Sequence, residues 1–218
     1  MFLLLSITSW IIAFTVTITI HEFAHAWVAD KLGDPTPRLT KRLTLNPIAH
    51  YDPVGTTLLL VLTFLRALGA PVIPFGWAKP VLFDPYNLKN PRRDSALISL
   101  AGPAANLALA TLLAILLKIS ASPFSIVQYI LTPLITLNVI LAIFNLVPIH
   151  PLDGGKILVG LLPENDAREL DKFLHRYGTI ILFLLIFPSF GGTSPMFSVI
   201  SPIINAILKV LLPQNISI

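Results

Sequence analysis

The sequence has no cysteine, which excludes disulfides and thiolate metal ligands. It is also poor in charge. Only 12% of its 218 residues are Asp, Glu, Lys or Arg, against about 25% in an ordinary soluble domain. There is no internal repeat and no low-complexity segment. The net charge of +4 comes without a basic, aromatic-rich patch, so nucleic acid is not an expected partner. What the chain does have is apolar length: 55% of its residues are hydrophobic, and several runs approach or exceed the roughly 20 residues that cross a bilayer as a helix. The expected partner is therefore the lipid bilayer. Residues 1–218 are expected to form a single integral membrane domain.

The first run, Phe2 to Ile20, is uncharged and continues as one expected helix over 2–29. No basic residue precedes it and no small-residue cleavage site comes after it, so it is not expected to be a cleaved signal. Residues 31–52 are polar and rich in proline. The alternation near Arg38 to Leu45 predicts a short β-hairpin at about 36–46. Residues 54–65 are apolar but too short to span, and Arg66, Gly69 and Pro71 interrupt the apolar character of the stretch up to 75. After a second polar loop, 76–94, long helical runs are expected at Ser95–Leu117 and Phe124–Val147. A polar stretch at 163–176 precedes further apolar runs at Tyr177–Phe187 and Met196–Leu212. The fold class is all-α and polytopic, with about five to six transmembrane helices.

His21-Glu22-Phe23-Ala24-His25 is an H-E-x-x-H sequence near the end of the first helix. Residues i and i+4 lie about 40° apart around a helix axis, so both imidazoles share one face. Such a pair can chelate zinc, and the intervening Glu22 can reach a metal-bound water as general base. Polar residues on a membrane helix cost about 2.5–3.5 kcal/mol each on insertion scales when charged and unpaired, which argues against a merely structural role. Catalytic zinc takes a third protein ligand. Without cysteine it must be His, Asp or Glu. Asp153 is the best candidate, because Pro148 and Pro151 break the helix before it and Gly154 and Gly155 permit close chain approach. His150 is a rival, His50 a weaker one, and His175 beside Lys172 and Arg176 is expected in solvent.

If His25 and Asp153 share a metal they lie at one depth, so an even number of crossings separates them. The runs 95–117 and 124–147 supply two, which makes 54–75 a re-entrant segment. The loops 31–52 and 76–94 and the stretch 153–176 then share a face. They carry twelve of the fifteen basic residues, all but Arg66, Lys118 and Lys209. By the positive-inside rule that face is cytoplasmic.

The motifs HEFAH, NPIAHYDPVG, FGWAKPV, NPRRD, AGPAAN and NLVPIHPLDGG, spread over residues 21–155, together resemble the site-2 protease family of intramembrane zinc metalloproteases, in its compact branch without PDZ or CBS domains. The resemblance implies one zinc ion held by His21, His25 and Asp153, with Glu22 activating water. It also implies that Asn145 lies at the active site and steadies the oxyanion or the substrate. Gly102 and Asn106 fall in the AGPAAN helix, where Gly102, Asn106, Ala110 and Ala114 make a small-residue seam suited to helix packing. The substrate implied is a transmembrane protein cut within or next to its span, in the cell membrane. Family members often have proline where this chain has His150. A metal transporter or metal-sensing protein could use the same histidines, but the helices 95–117 and 124–147 hold no His, Asp or Glu to relay an ion. A membrane zincin of the CAAX-processing kind would need a downstream glutamate motif that Glu164 and Glu169 do not supply.

Overall fold

A computed structural model describes residues 2–67, 76–120, 126–187 and 194–213. α1 (Phe2–Lys31) is 30 residues long and free of glycine and proline. Its many β-branched residues favour strands in water, but in lipid a helix satisfies every backbone group within the segment. Ser9, Thr15 and Thr19 turn their hydroxyls back onto carbonyls four residues earlier, hiding those too. The helix ends where Gly33 adopts a φ of 107°, in the left-handed region glycine tolerates.

The hairpin expected at 36–46 is not there. Thr36–Leu39 form a helical turn, α2, and no strand occurs among the described residues. The reason is local. Asp34 accepts from both the backbone N–H and the hydroxyl of Thr36, which starts a turn with Pro37 in it. The amides of Arg42 and Leu43 then fold back onto the Pro37 carbonyl, leaving no partner strand for the alternation to pair with. Next come α3 (Pro47–His50), capped by Asn46, and α4 (Pro53–Ala67), capped by Asp52. At 15 residues α4 is about 22 Å long, short of the roughly 30 Å hydrocarbon layer. Residues 68–75, with Gly69, Pro71 and the end of the expected re-entrant segment, lie outside the described residues.

Beyond a non-helical stretch from 76 and a short 3-10 turn at Pro85–Asn87 come α5 (Pro91–Ile119), α6 (Ile126–Asn145) and α7 (Asp153–Leu161). α8 (Glu164–Ile186) merges the polar stretch and the apolar run after it into one helix, and α9 (Pro195–Leu211) completes the series. Among the described residues three helices are long and apolar enough to cross a membrane: Ile7–Lys31, Pro91–Ile119 and Ile126–Asn145. α1, α5 and α6 pack on one another, and α9 lies against α5 and α6. The small-residue seam of α5 is buried, and Ala110 and Ala114 belong to one hydrophobic cluster with Ile135 and Val139 of α6 and Ile200 and Ile204 of α9. Large apolar side chains such as Leu112, Leu116 and Ile130 face outward, as in a protein whose solvent is lipid. Lys118 donates to the Val210 carbonyl, so α9 ends beside the end of α5 remote from Arg92 and Arg93.

Asp34, fully buried, joins the exit of α1 to the 3-10 turn. It accepts from the Asp84 amide at 2.7 Å and the Asn87 carboxamide at 2.8 Å as well as from Thr36. Asp34→Ala leaves those donors unpaired and is expected to cost about 3 kcal/mol. Thermal unfolding in detergent checks this; an unchanged midpoint contradicts it.

Candidate metal centre

The end of α1 and the start of α7 bring three side chains together. His21 Nε2 and His25 Nε2 are 3.1 Å apart, and Asp153 Oδ2 lies 3.2 Å from the first and 3.3 Å from the second. Donors arranged tetrahedrally at about 2.0–2.1 Å from zinc are separated by about 3.3 Å, so these atoms match one face of such a polyhedron. All three side chains are buried or nearly so.

Protons decide what the triangle can hold. His25 Nδ1 lies 2.7 Å from the Ile98 carbonyl, which can only accept, so Nδ1 carries the hydrogen and, in the neutral ring that a metal requires, Nε2 is a bare lone pair. His21 Nδ1 lies 2.6 Å from Asn106 Oδ1. Asn106 is oriented without ambiguity, because its Nδ2 donates to the Thr17 carbonyl at 3.0 Å and to Asn138 Oδ1 at 2.7 Å. Asn138 is fixed in turn by donating to Thr17 Oγ1 and the Leu134 carbonyl, both at 2.8 Å. His21 Nε2 is therefore bare as well. Asp153 Oδ2 is buried without a hydrogen-bond donor. Three lone pairs facing one another at this distance repel unless a cation sits among them. The donor set, two neutral imidazoles and a carboxylate with outer-shell partners on the imidazoles, fits zinc.

Gly102 makes room for the pair. A Cβ there would lie 2.5 Å from His25 Nε2 and 2.6 Å from His21 Cε1. Asp153 reaches the site because Leu146–Leu152 leave the helical path and α7 restarts at Asp153 itself. A side chain at Gly154 would strike the carbonyls of Leu146 and Val147.

Glu22 is held by the Val81 amide, which donates to its Oε2 at 2.8 Å. Lys156, one turn after Asp153, rests its ammonium 4.5 Å from the Phe83 ring centroid. Burial lowers its pKa below the ordinary lysine value, against the pull of Asp153, Asp171 and Glu22. Asn145 does not join the three: its Nδ2 donates to the Leu141 carbonyl in its own helix. Neither rival histidine joins either. His150 stacks on His175 at 4.3 Å, and His50 turns to the Thr44 carbonyl. Burial, then the neighbouring His175 and Lys156, push the His150 pKa down against the pull of Asp171.

Asn138 and the roles of Asn106, Thr17, Val81 and Lys156 were not read from the sequence. A signal existed for the two asparagines: a carboxamide in an apolar span needs partners, and its presence there marks a network. Val81 offers only its backbone, and no residue type announces that.

The family model described as peptidase family M50 matches residues 9–123 and 118–188. A Bacillus subtilis (strain 168) protein named "Putative zinc metalloprotease YwhC" is 36% identical over 90% of this chain and 85% of its own length. "Putative zinc metalloprotease Rip2" of Mycolicibacterium smegmatis is 33% identical over 85% of this chain and 68% of its own. That of Mycobacterium tuberculosis (strain H37Rv) is 32% identical over 81% and 66%. No solved structure matches the chain.

Asn106→Ala is expected to weaken zinc binding about 10- to 100-fold by releasing His21. Gly102→Ala, which drives a methyl group into both rings, should leave the purified protein with little zinc. Atomic absorption and chelator competition read both, and full zinc content in both variants contradicts the geometry.

Proposed function

The chain belongs to peptidase family M50 and is a zinc metalloprotease, and on that premise we propose that it hydrolyses peptide bonds within or next to the transmembrane segments of membrane-protein substrates. The observation that carries this reading is the triangle of bare lone pairs, His21 Nε2, His25 Nε2 and Asp153 Oδ2, near the end of a helix apolar enough to cross a bilayer. His21, His25 and Asp153 are the zinc ligands. Zinc bound there supplies a Lewis acid for the scissile carbonyl and lowers the pKa of a coordinated water.

The remaining work falls to the chain. Glu22, steadied by the Val81 amide, takes the proton from the attacking water and returns it to the leaving amine. Asn145 gives one of its two amide hydrogens to the Leu141 carbonyl and steadies the oxyanion or the substrate with the other. A substrate helix hides its peptide bonds in hydrogen bonds and must unwind before it is cut. The segment 54–75 and the loops beside it receive the unwound stretch.

The protein is proposed to sit in the cell membrane as a multi-pass domain, with α8 and α9 raising the crossings to about five or six and 54–75 dipping in and returning. The site opens toward the cytoplasm. Twelve of the fifteen basic residues in the loops of one face support that orientation, as does the joint end of α5 and α9 at the opposite face. Metal transport is the weaker reading. It needs a ligand relay across the bilayer, and the buried amides of α5 and α6, Asn106 and Asn138, are committed to holding His21.

Glu22→Gln should retain zinc yet lower cleavage of a co-expressed single-span substrate by a factor of about 10² or more. A fully active variant refutes the role. Asp153→Ala is expected to lose the metal and His150→Ala to keep it; the reverse pattern of zinc contents would move the third ligand to His150.

A further inference from the structure

Basic residues near helix ends can orient a membrane chain without binding anything. Some of those in this chain line a cleft of about 820 Å³, between the start of α5, α7 and the polar half of α8. Four cations line it, Arg92, Arg93, Lys156 and Arg168, against two carboxylates, Glu164 and Asp171. Both carboxylates are engaged on their own helix: Glu164 pairs with Arg168, and Asp171 lies 3.3 Å from His175 Nδ1.

The other three cations have no such partner. Among the described residues, the side chains of Arg92, Arg93 and Lys156 make no ion pair and no hydrogen bond. Both arginines are exposed. The Lys156 ammonium sits 4.5 Å from the centroid of Phe83, a ring that also lines the cleft. Three cations without a protein counter-ion thus share one cleft, an arrangement that favours an anion.

The depth of the cleft narrows the choice of anion. α5 has 29 residues and is about 43 Å long, against a hydrocarbon layer of about 30 Å. Its first turn, with Arg92 and Arg93, therefore reaches the layer of lipid phosphates. Arg93, Leu97 and Leu100 are spaced i, i+4, i+7 and all exposed, so an outward apolar stripe of α5 begins at the cleft.

We propose that this cleft binds the phosphoryl headgroup of an anionic lipid. Arg92, Arg93 and Lys156 hold the phosphoryl oxygens, and an acyl chain lies along Leu97 and Leu100. Basic pockets between membrane helices recognise anionic headgroups in this way. The lipid ties the start of α5 to α7, the helix that presents Asp153. The site rests on the membrane placement proposed above and not on proteolysis.

The test uses the full chain, purified in a neutral detergent. Phosphatidylglycerol and phosphatidylcholine are offered in equal amounts, and bound lipid is read by native mass spectrometry. The wild type should retain phosphatidylglycerol selectively. The double variant Arg92→Gln/Arg93→Gln, checked for folding by its zinc content, should bind it about 30-fold more weakly, the factor for two cations at about 1 kcal/mol each. Lys172→Gln/Arg176→Gln removes the same charge from exposed positions of α8 outside the cleft and should leave retention nearly unchanged. Equal losses in the two double variants would mean that the basic face attracts anions without a site, and overturn the proposal. Equal retention of both lipids by the wild type overturns it too. Inorganic phosphate that displaces the lipid at equal concentration makes a soluble phosphoryl ligand the occupant and overturns the lipid assignment. Retention is read without any cleavage, so its failure leaves the proteolytic reading standing. A chain that purifies from the soluble fraction without detergent overturns the membrane placement, and the lipid site with it.

Discussion

Two imidazoles can share one ion only if each turns an unprotonated nitrogen toward it. In this chain that choice is made by oxygens on a different helix. The Ile98 carbonyl and the Asn106 carboxamide take the Nδ1 protons of His25 and His21, and both partners lie on α5. A carbonyl inside a helix normally serves the helix alone; Ile98 accepts a second bond from outside. Asn106 works only because Asn138 and Thr17 absorb its amide hydrogens, which brings α6 and α1 into the same chain of bonds. α1, α5 and α6, each long and apolar enough to cross a membrane, are thus locked at one level by the network that sets the tautomer of one histidine.

The third side chain obeys a different constraint. Asp153 returns to the level of His21 after the chain has run out along α5 and back along α6, two helices long and apolar enough to cross a bilayer. On arrival the chain has to stop being a helix, pass Gly154 against the backbone of Leu146 and Val147, and restart with Asp153 in the first turn of α7. The carboxylate then sits where a new helix leaves unpaired amides, a setting that favours negative charge. Gly102 removes the one side chain that would stand in the way.

Much of this was legible in the residues. The i, i+4 histidines on a long apolar helix and the isolated Asp153 beyond two prolines depend on periodicity and chain breaks, which a sequence displays directly. The seam Gly102–Asn106–Ala110–Ala114 was visible as packing, but its asparagine proved to be the partner of His21. That distinction needs the neighbouring helix. The hairpin at 36–46 failed because one buried carboxylate, Asp34, and one proline, Pro37, outweigh an alternation that had no partner strand. His150 was a reasonable rival by distance along the chain, yet three residues short of Asp153 its ring is turned onto His175. Contacts made through backbone, such as Val81 with Glu22, carry no residue signature at all.

Two imidazoles and one carboxylate, placed so that they could share a single ion, are the centre on which the fold converges. Zinc-edge X-ray absorption of the purified protein tests that sharing most directly. Scattering from two imidazole rings and two oxygen donors, one from Asp153 and one from water, is the predicted spectrum. Scattering from three imidazoles, or from one, would contradict it.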